Sequence, residues 1–220
     1  MYDISLYGHL VFDNIEDGNK DTYSIGGIVN VWKALKEIDR NLCVYVCPTN
    51  IGKSHITIDR KNSLRQSLSV LNENDVCIKI KQSTISHIAY LNEIPYPSFI
   101  HDLKGCVTAD ICSGKKIDIS LFPNIKLLFV SEEDIGLIEN LHTFKETLVI
   151  HGPKASSLNS GHYYRRYLHS EYLENINVLG AGDYFAAIFI SNMLNRLSDS
   201  NNLIDSHIKT TQYLKDRNGS

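Results

Sequence analysis

The feature that most constrains the fold is the alternation of short apolar β-rich runs with helical segments. The β-rich runs cover residues 4–12, 43–47, 76–80, 85–91, 106–112, 126–130 and 147–152. Apolar residues spaced three and four apart, or a continuous apolar composition, indicate helices over residues 28–38, 180–197 and 204–214. Strands separated by helices favour a mainly parallel sheet with helices on both faces. We therefore predict an α/β fold.

Length and charge limit the remaining possibilities. The 220 residues are enough for one core, and no linker or repeat divides them, so we predict a single domain over residues 1–220. The net charge of −3 lacks the basic footprint of proteins that bind nucleic acid or acidic membranes. The first residues do not resemble a signal peptide, and no apolar run approaches the roughly 20 residues of a spanning helix. We predict a cytoplasmic protein without nucleic-acid or membrane partners.

The five cysteines show no CxxC spacing and lie mostly in apolar, strand-like runs. They are Cys43, Cys47, Cys77, Cys106 and Cys112. A free cysteine in such a run behaves as a small core residue. We therefore expect buried thiols rather than a disulfide or a metal site.

Glycine and alanine at the start of a helix carry the clearest chemical signal. Gly180, Ala181, Gly182 and Asp183 open a buried helix directly after an extended segment. Small residues there let backbone N–H groups approach a ligand, and the helix dipole favours an anion. Phosphoryl transfer to an alcohol needs such donors together with a base for the hydroxyl proton. The alternative is a glycine-rich turn in which Asp183 only stabilises its own helix N-terminus.

With its flanking residues, this segment resembles the carboxy-terminal motif of the ribokinase-like, or PfkB-type, carbohydrate kinases. That motif has an Asp, two small or β-branched residues, Gly-Ala-Gly-Asp, an aromatic residue and an Ala-rich helix, and residues 177–187 read NVLGAGDYFAA. The resemblance implies that the amides of residues 180–182 form an anion hole and that Asp183 is the catalytic base. It also implies ATP and Mg²⁺ as cofactors and a sugar or small polyol as the substrate whose hydroxyl is phosphorylated.

A second part of the same resemblance lies near the amino terminus. The family pairs a Gly-x4-Asp on its first strand with a Gly-Gly helix start that carries an Asn, and residues 8–13 match the first pattern. Gly26, Gly27 and Asn30 match the second pattern, slightly shortened. The resemblance implies that Asp13, Gly26, Gly27 and Asn30 contact substrate hydroxyls, which a carboxylate and an amide can bind. Alternatively, Asp13 is a turn residue and Asn30 faces solvent.

The landmarks between these motifs depart from the family pattern. Ser131 and Asp134 stand where the family has Asn-x-x-Glu, and they could order waters around Mg²⁺ or merely cap a helix. Of the family's nucleotide-binding loop pattern, this sequence keeps only Gly152. Asn177 replaces an Asp whose neighbourhood often binds a monovalent cation, and we assign Gly152 and Asn177 to cofactor binding. Asp110 ends a predicted strand where many members carry Asp-x-Asn.

The family's β-stranded lid has little room in this chain. Residues 14–25 allow at most a vestigial lid segment, and residues 49–74 carry no clear pattern. The resemblance thus implies a three-layer ribokinase-like fold with the lid reduced or absent. Lids in this family often pair, which makes a homodimer possible. Residues 47–54 end like a phosphate-binding P-loop but lack its first glycine, and Pro48 removes a backbone donor, so we reject that alternative.

Two further functions remain open at this point. The chain could be a catalytically impaired member of the fold that only binds or regulates through a sugar or nucleotide. It could also be a different α/β enzyme whose glycine turn holds a substrate phosphate. The kinase hypothesis requires Asp13 and Asp183 to line one cleft, and the last alternative does not.

Overall fold

A computed structural model describes residues 1–62, 64–72, 77–161, 163–169 and 171–219, with residues 64–65, 67, 69 and 71–72 described by their backbone only. The α-helices are α1 (Ile28–Ile38), α2 (Ala181–Leu194) and α3 (Asp199–Asn218). The strands are β1 (Tyr2–Asp17), β2 (Lys20–Gly27), β3 (Val44–Asp59), β4 (Leu64–Asn72), β5 (Ser83–Ala89), β6 (Cys106–Ile111), β7 (Ile117–Asp118), β8 (Ile125–Ser131), β9 (Ile138–Glu139), β10 (Thr147–His151), β11 (Ala155–Asn159) and β12 (Tyr164–Leu168).

One ten-stranded sheet runs through the structure in the order β12-β11-β10-β8-β6-β5-β1-β3-β4, with β2 paired to β1. The neighbours from β10 to β3 are all parallel, and the antiparallel strands β11 and β12 extend one end. Parallel strands need crossover connections, and here these cover the faces of the sheet. The predicted α/β fold with a mainly parallel central sheet is confirmed.

The three α-helices cover one face. Helix α2 lies between α1 and α3 and packs its aromatic residues on the sheet, with the rings of Phe129 and Phe189 centred 5.3 Å apart. Most of α2 is buried, because neighbours surround it on several sides. This explains why the sequence of α2 has no polar stripe, unlike that of α1.

The other face is covered by loops and five short 3-10 helices, and no α-helix lies there among the residues that the structure describes. The core on this side includes Tyr7, Ile100 and Leu128. Ser131 does not cap an α-helix, which was one of its two alternatives, because only the single 3-10 turn Ile135–Leu137 forms after it. Ser131 instead hydrogen-bonds Asp134 within the turn, which satisfies the groups that a helix N-cap would use.

A lid projects beyond the parallel sheet and is larger than predicted. It consists of residues 10–17 of β1, residues 50–59 of β3, and the antiparallel strands β2 and β4. The prediction of a reduced or absent lid with residues 14–25 as its vestige missed β3 and β4. The strand that was expected to stop at Pro48 continues past it, because a register shift between Gly8 and His9 accommodates the proline.

The lid strands alternate between buried and exposed residues, as expected for a sheet with one covered face. Val11, Asp13 and Ile15 point inwards, whereas Phe12 is half exposed on the outer face. Residues 50–59 follow the same alternation with mostly polar outward residues, so their mean hydropathy hides the strand.

One predicted strand and part of the predicted burial of the cysteines are not found. Residues 77–80, predicted as a strand, have no regular structure, and Val76 lies outside the described residues. Cys47 is buried as expected, but Cys43 and Cys77 are exposed: Cys43 directly precedes β3, and Cys77 lies in the segment without regular structure. Among the described helices, none combines the length and apolarity that crossing a membrane requires.

Candidate active site

The predicted anion hole lies at the start of α2. Gly180 is the N-cap residue with φ 81° and ψ 3°, a left-handed conformation that suits glycine. The first amides of a helix have no helical carbonyl to bind. The Ala181 N–H donates to the Val178 carbonyl at 3.1 Å, so one of the three predicted donors already has a partner. Gly182, with the first turn of α2, lines a cavity.

Asp183 lies in the first turn of α2 and is 9% exposed. Its carboxylate accepts a hydrogen bond from the hydroxyl of Tyr90, a contact that no sequence motif indicated. Burial and the neighbouring carboxylates Asp183 and Asp110 raise the pKa of Tyr90 well above its usual value. Tyr90 therefore stays protonated and acts as the donor in this pair.

Tyr90 is also fixed by its backbone and by its ring. It follows β5 in a left-handed conformation, with φ 59° and ψ 55°, which is uncommon for a residue other than glycine. Its backbone N–H donates to Asp110 at the end of β6, and its ring stacks on His9 at 4.6 Å between centroids. Such backbone outliers persist where their surroundings constrain them, which is common at functional sites.

A small cavity of about 50 Å³, here called the lid cavity, lies between the lid and the start of α2. Its lining brings the amino-terminal motif together with Asp183. The lining residues are His9, Val11, Asp13, Gly27, Asn30, Ser54, Ile56, Tyr90, Glu93, Cys112, Ser113, Leu179, Gly180 and Asp183. Asp13 and Asp183 thus line one cleft, as the kinase hypothesis requires.

Asp13 is fixed by its strand neighbours. Ser24 on β2 and Ser54 on β3 pair with Asp13 in register, and both hydroxyls donate to its carboxylate. Gly26 packs directly against this carboxylate, because a Cβ at position 26 would overlap Asp13 Oδ2. Asp13 is therefore a buried lid residue rather than a turn residue, and Asn30 lines the lid cavity from α1.

A larger cavity of about 320 Å³, here called the large cavity, lies on the other side of Asp183. Ser131, Asp134 and Gly152 line it together with Asp110. Apolar residues such as Leu173, Ile176 and Leu214 form another part of the wall, followed by Thr210 and Thr211 of α3. Among its described lining residues none is lysine or arginine.

Two imidazole rings, those of His151 and His207, line the large cavity. The Cε1 atom of His151 lies 3.3 Å from where a Cβ of Gly182 would be, and its ring packs on Phe185 at 5.1 Å. His207 also lines the cavity, and burial together with His169 and His151 lowers its pKa to about 3. His207 is therefore neutral at physiological pH.

The carboxylates of the large cavity suit a hydrated divalent cation. Asp110 and Asp134 both line it, and no group of three potential ligands is arranged as a preformed metal site in the described part of the chain. Mg²⁺ usually keeps several of its waters and needs only one or two carboxylates. The residues present fit Mg²⁺ held partly through water.

Asn177 lines neither cavity and belongs to a network, here called the lid latch, with Asp17, Arg60 and Asn218. Arg60 forms a two-point ion pair with Asp17 at the lid tip, at 2.7 and 2.6 Å. The Asn177 side chain donates to Asp17 at 3.3 Å, and Asn218 of α3 accepts from the Asn177 backbone N–H at 2.8 Å. The guanidinium of Arg60 lowers the pKa of Asp17. The latch therefore joins the lid to the segment that precedes α2.

No model of a known protein family matches the sequence, and no curated protein sequence does. Solved structures do resemble it. A nucleoside kinase from Methanocaldococcus jannaschii, described as an archaeal member of the ribokinase family, has a TM-score of 0.71 and 15% identity over 98% of this chain and 92% of that chain. The ribokinase of Thermotoga maritima has a TM-score of 0.70 and 14% identity over 94% and 90%.

A third similar structure is a pyrophosphate-dependent kinase in the ribokinase family, complexed with a pyrophosphate analog and myo-inositol. Its TM-score is 0.65, with 15% identity over 96% of this chain and 95% of that chain. At such identities the similarity establishes the fold. The protein has a ribokinase-like fold.

Proposed function

We propose that the protein transfers the γ-phosphoryl group of ATP to a hydroxyl of a sugar or related small polyol. The observation that carries this proposal is the position of Asp183, which lines both the lid cavity and the large cavity. A base that deprotonates an acceptor must touch the acceptor on one side and face the donor phosphate on the other. The presence of Asp13 in the same lid cavity argues against an unrelated phosphate-binding α/β enzyme.

In this proposal the acceptor lies in the lid cavity. Asp13 and Asn30 bind its hydroxyls, and Asp183 takes the proton of the reacting one. The resulting oxygen attacks the γ-phosphorus, the bond between that phosphorus and the β,γ-bridging oxygen breaks, and ADP leaves. The hydrogen bond from Tyr90 holds the Asp183 carboxylate in place beside the lid cavity.

ATP is assigned to the large cavity. The first turn of α2 provides donors for the phosphates, and the apolar wall with Leu173 and Leu214 suits a nucleotide base. Asp110, Ser131 and Asp134 would hold Mg²⁺, which supplies the positive charge that the lining side chains lack. Gly152 borders this cavity, whereas Asn177 acts through the lid latch and not through contact with ATP.

The direct test compares the wild type with Asp183→Asn and Asp13→Asn in an assay of ADP formation with Mg-ATP and a panel of sugars and polyols. Removing a positioned base lowers the rate by roughly 10²–10⁴. Asp102→Asn, which changes an exposed carboxylate, is the matched control and keeps wild-type turnover. Turnover of Asp183→Asn equal to that of the wild type would exclude Asp183 as the base.

A second candidate is a member of the fold that binds sugar or nucleotide without transferring phosphate. Two observations favour it: the Ala181 amide already donates to Val178, and the described lining of the large cavity has no lysine or arginine. Calorimetry separates the two functions, because a pure binder takes up Mg-ATP or sugar with no ADP formed over hours.

We also propose that two copies pair through the outer face of the lid. Phe12 and Ile25 are opposite each other there, and Leu68 and Val70 are largely exposed on β4. Lys53 and His55 of β3 lie between these two pairs in the strand register, so the outer face carries two separate groups of exposed apolar residues. Exposed apolar groups of this kind occur at association sites. A single domain over residues 1–220 and a cytoplasmic location stay predictions.

A further inference from the structure

The lid cavity is small for a kinase acceptor site. Its volume is about 50 Å³, against about 320 Å³ for the large cavity. Cavities that take drug-sized molecules begin near roughly 300 Å³. A furanose that carries a nucleobase does not fit.

Two stacked rings take up the space in which a larger acceptor would lie. His9 and Tyr90 are nearly parallel, at 8°, and His9 is only 6% exposed. Tyr90 is anchored by its hydrogen bonds with Asp183 and Asp110, and Gly27 lies directly against the His9 ring, where a Cβ would lie 2.6 Å from Cδ2. Contacts with neighbouring groups therefore hold both rings in place.

The lid that forms the opposite wall is fastened at two places. The lid latch ties its tip to Asn177 and Asn218. Beside the latch, the inner lid residues Ile15, Ile56 and Ile58 form an apolar cluster against Leu179, one residue before Gly180. These contacts hold the lid against the segment that precedes α2, and they limit the volume of the lid cavity.

The charges around the lid cavity select against an anionic acceptor. Three carboxylates line it, those of Asp13, Glu93 and Asp183, and among its described lining residues there is no lysine or arginine. A phosphate or carboxylate on the acceptor would lie close to these groups without a compensating cation. The Asn30 amide and the Ser54 hydroxyl offer neutral hydrogen-bonding partners for hydroxyl groups.

We infer that the acceptor is a compact, uncharged polyol, smaller than a nucleoside, and that the His9–Tyr90 stack is the wall that excludes larger acceptors. This inference rests on the proposed phosphoryl transfer, whose substrate it narrows. It excludes nucleosides, sugar phosphates and sugar acids from the site.

The test uses five probes: glycerol, erythritol, D-ribose and adenosine as a size series, and D-glycerate as the charged counterpart of glycerol. Both ADP formation with Mg-ATP and calorimetric binding to protein saturated with a non-hydrolysable ATP analogue are measured. We expect kcat/KM for glycerol or erythritol to exceed that for D-ribose and D-glycerate by at least about tenfold, with no turnover of adenosine. D-ribose, adenosine or D-glycerate reacting as well as glycerol would overturn the inference.

Enlarging the lid cavity by shortening its wall residues provides a second test. His9→Ala should raise kcat/KM for D-ribose relative to glycerol by about tenfold or more, and Val11→Ala should shift it in the same direction if His9→Ala does not fold. Unchanged selectivity in the folded variants would refute the role of the wall. If the small probes bind in the expected order without ADP formation, the inference stands and the kinase proposal fails; if none binds, the inference fails.

Discussion

His9 makes the folded protein sensitive to mild acid. Burial lowers the pKa of His9 from 6.5 to about 4, and the nearby Asp110 carboxylate offsets part of this effect. Between these two values the unfolded chain binds a proton that the folded protein does not bind. The free energy of unfolding therefore falls as the pH is lowered through this window, and it recovers as the pH rises above 6.5.

The size of the effect follows from the two pKa values. At pH 5 the ring is mostly protonated in the unfolded chain and mostly neutral in the folded protein, which lowers the free energy of unfolding by about 2 kcal/mol relative to pH 7.5. His9→Gln removes this titration. We expect the wild type to lose about 2 kcal/mol more than the variant between these pH values.

Urea unfolding at pH 7.5, 6 and 5, followed by circular dichroism, measures the difference. The protonation of carboxylates acts equally on both proteins and cancels in the comparison. His142→Gln, which changes an exposed ring, serves as the control and should keep the wild-type dependence on pH. If His9→Gln and the wild type lose stability in parallel, the ring is not held neutral and the account of the His9 environment is wrong.

Three further predictions concern the site and the lid. Tyr90→Phe keeps the ring but removes the donor to Asp183, so kcat should fall about tenfold with the KM for ATP unchanged; an unaltered kcat would contradict a positioning role. Arg60→Ala breaks the latch, and because its ion pair with Asp17 is partly exposed, stability should fall by only about 1 kcal/mol while amide exchange in the lid speeds up. Phe12→Lys should convert a dimer to a monomer in light scattering, and a wild type that is already monomeric would refute pairing through the lid.

The periodic parts of the sequence predicted the fold well. The helix expected over residues 28–38 forms as α1 with those bounds, and the start of α2 follows Gly180 as expected. α1 has apolar residues spaced three and four apart, α2 is apolar almost throughout, and a glycine precedes the first residue of each helix. The 3-10 helices that cover the second face of the sheet could not be predicted, because helices of one turn are too short to show a sequence period.

The lid and the latch show why the rest could not be predicted. Residues 50–59 have the period of two that is typical of a strand, but their mostly polar outward residues and the preceding proline obscure it. The latch joins residues 17, 60, 177 and 218, and Tyr90 reaches Asp183 across more than ninety positions. Contacts at such separations depend on the order of strands in the sheet, which local patterns do not determine.

Asn218 has a consequence for how the lid can move. Its side chain donates to the Leu214 carbonyl within the last turn of α3 and to the Asn177 backbone, and its oxygen accepts from Arg60. The same side-chain amide thus contacts both the last turn of α3 and the lid tip. Under the proposed function, a lid motion that draws Arg60 away would remove one of the partners of Asn218, so opening of the lid would be coupled to the order of the last turn of α3.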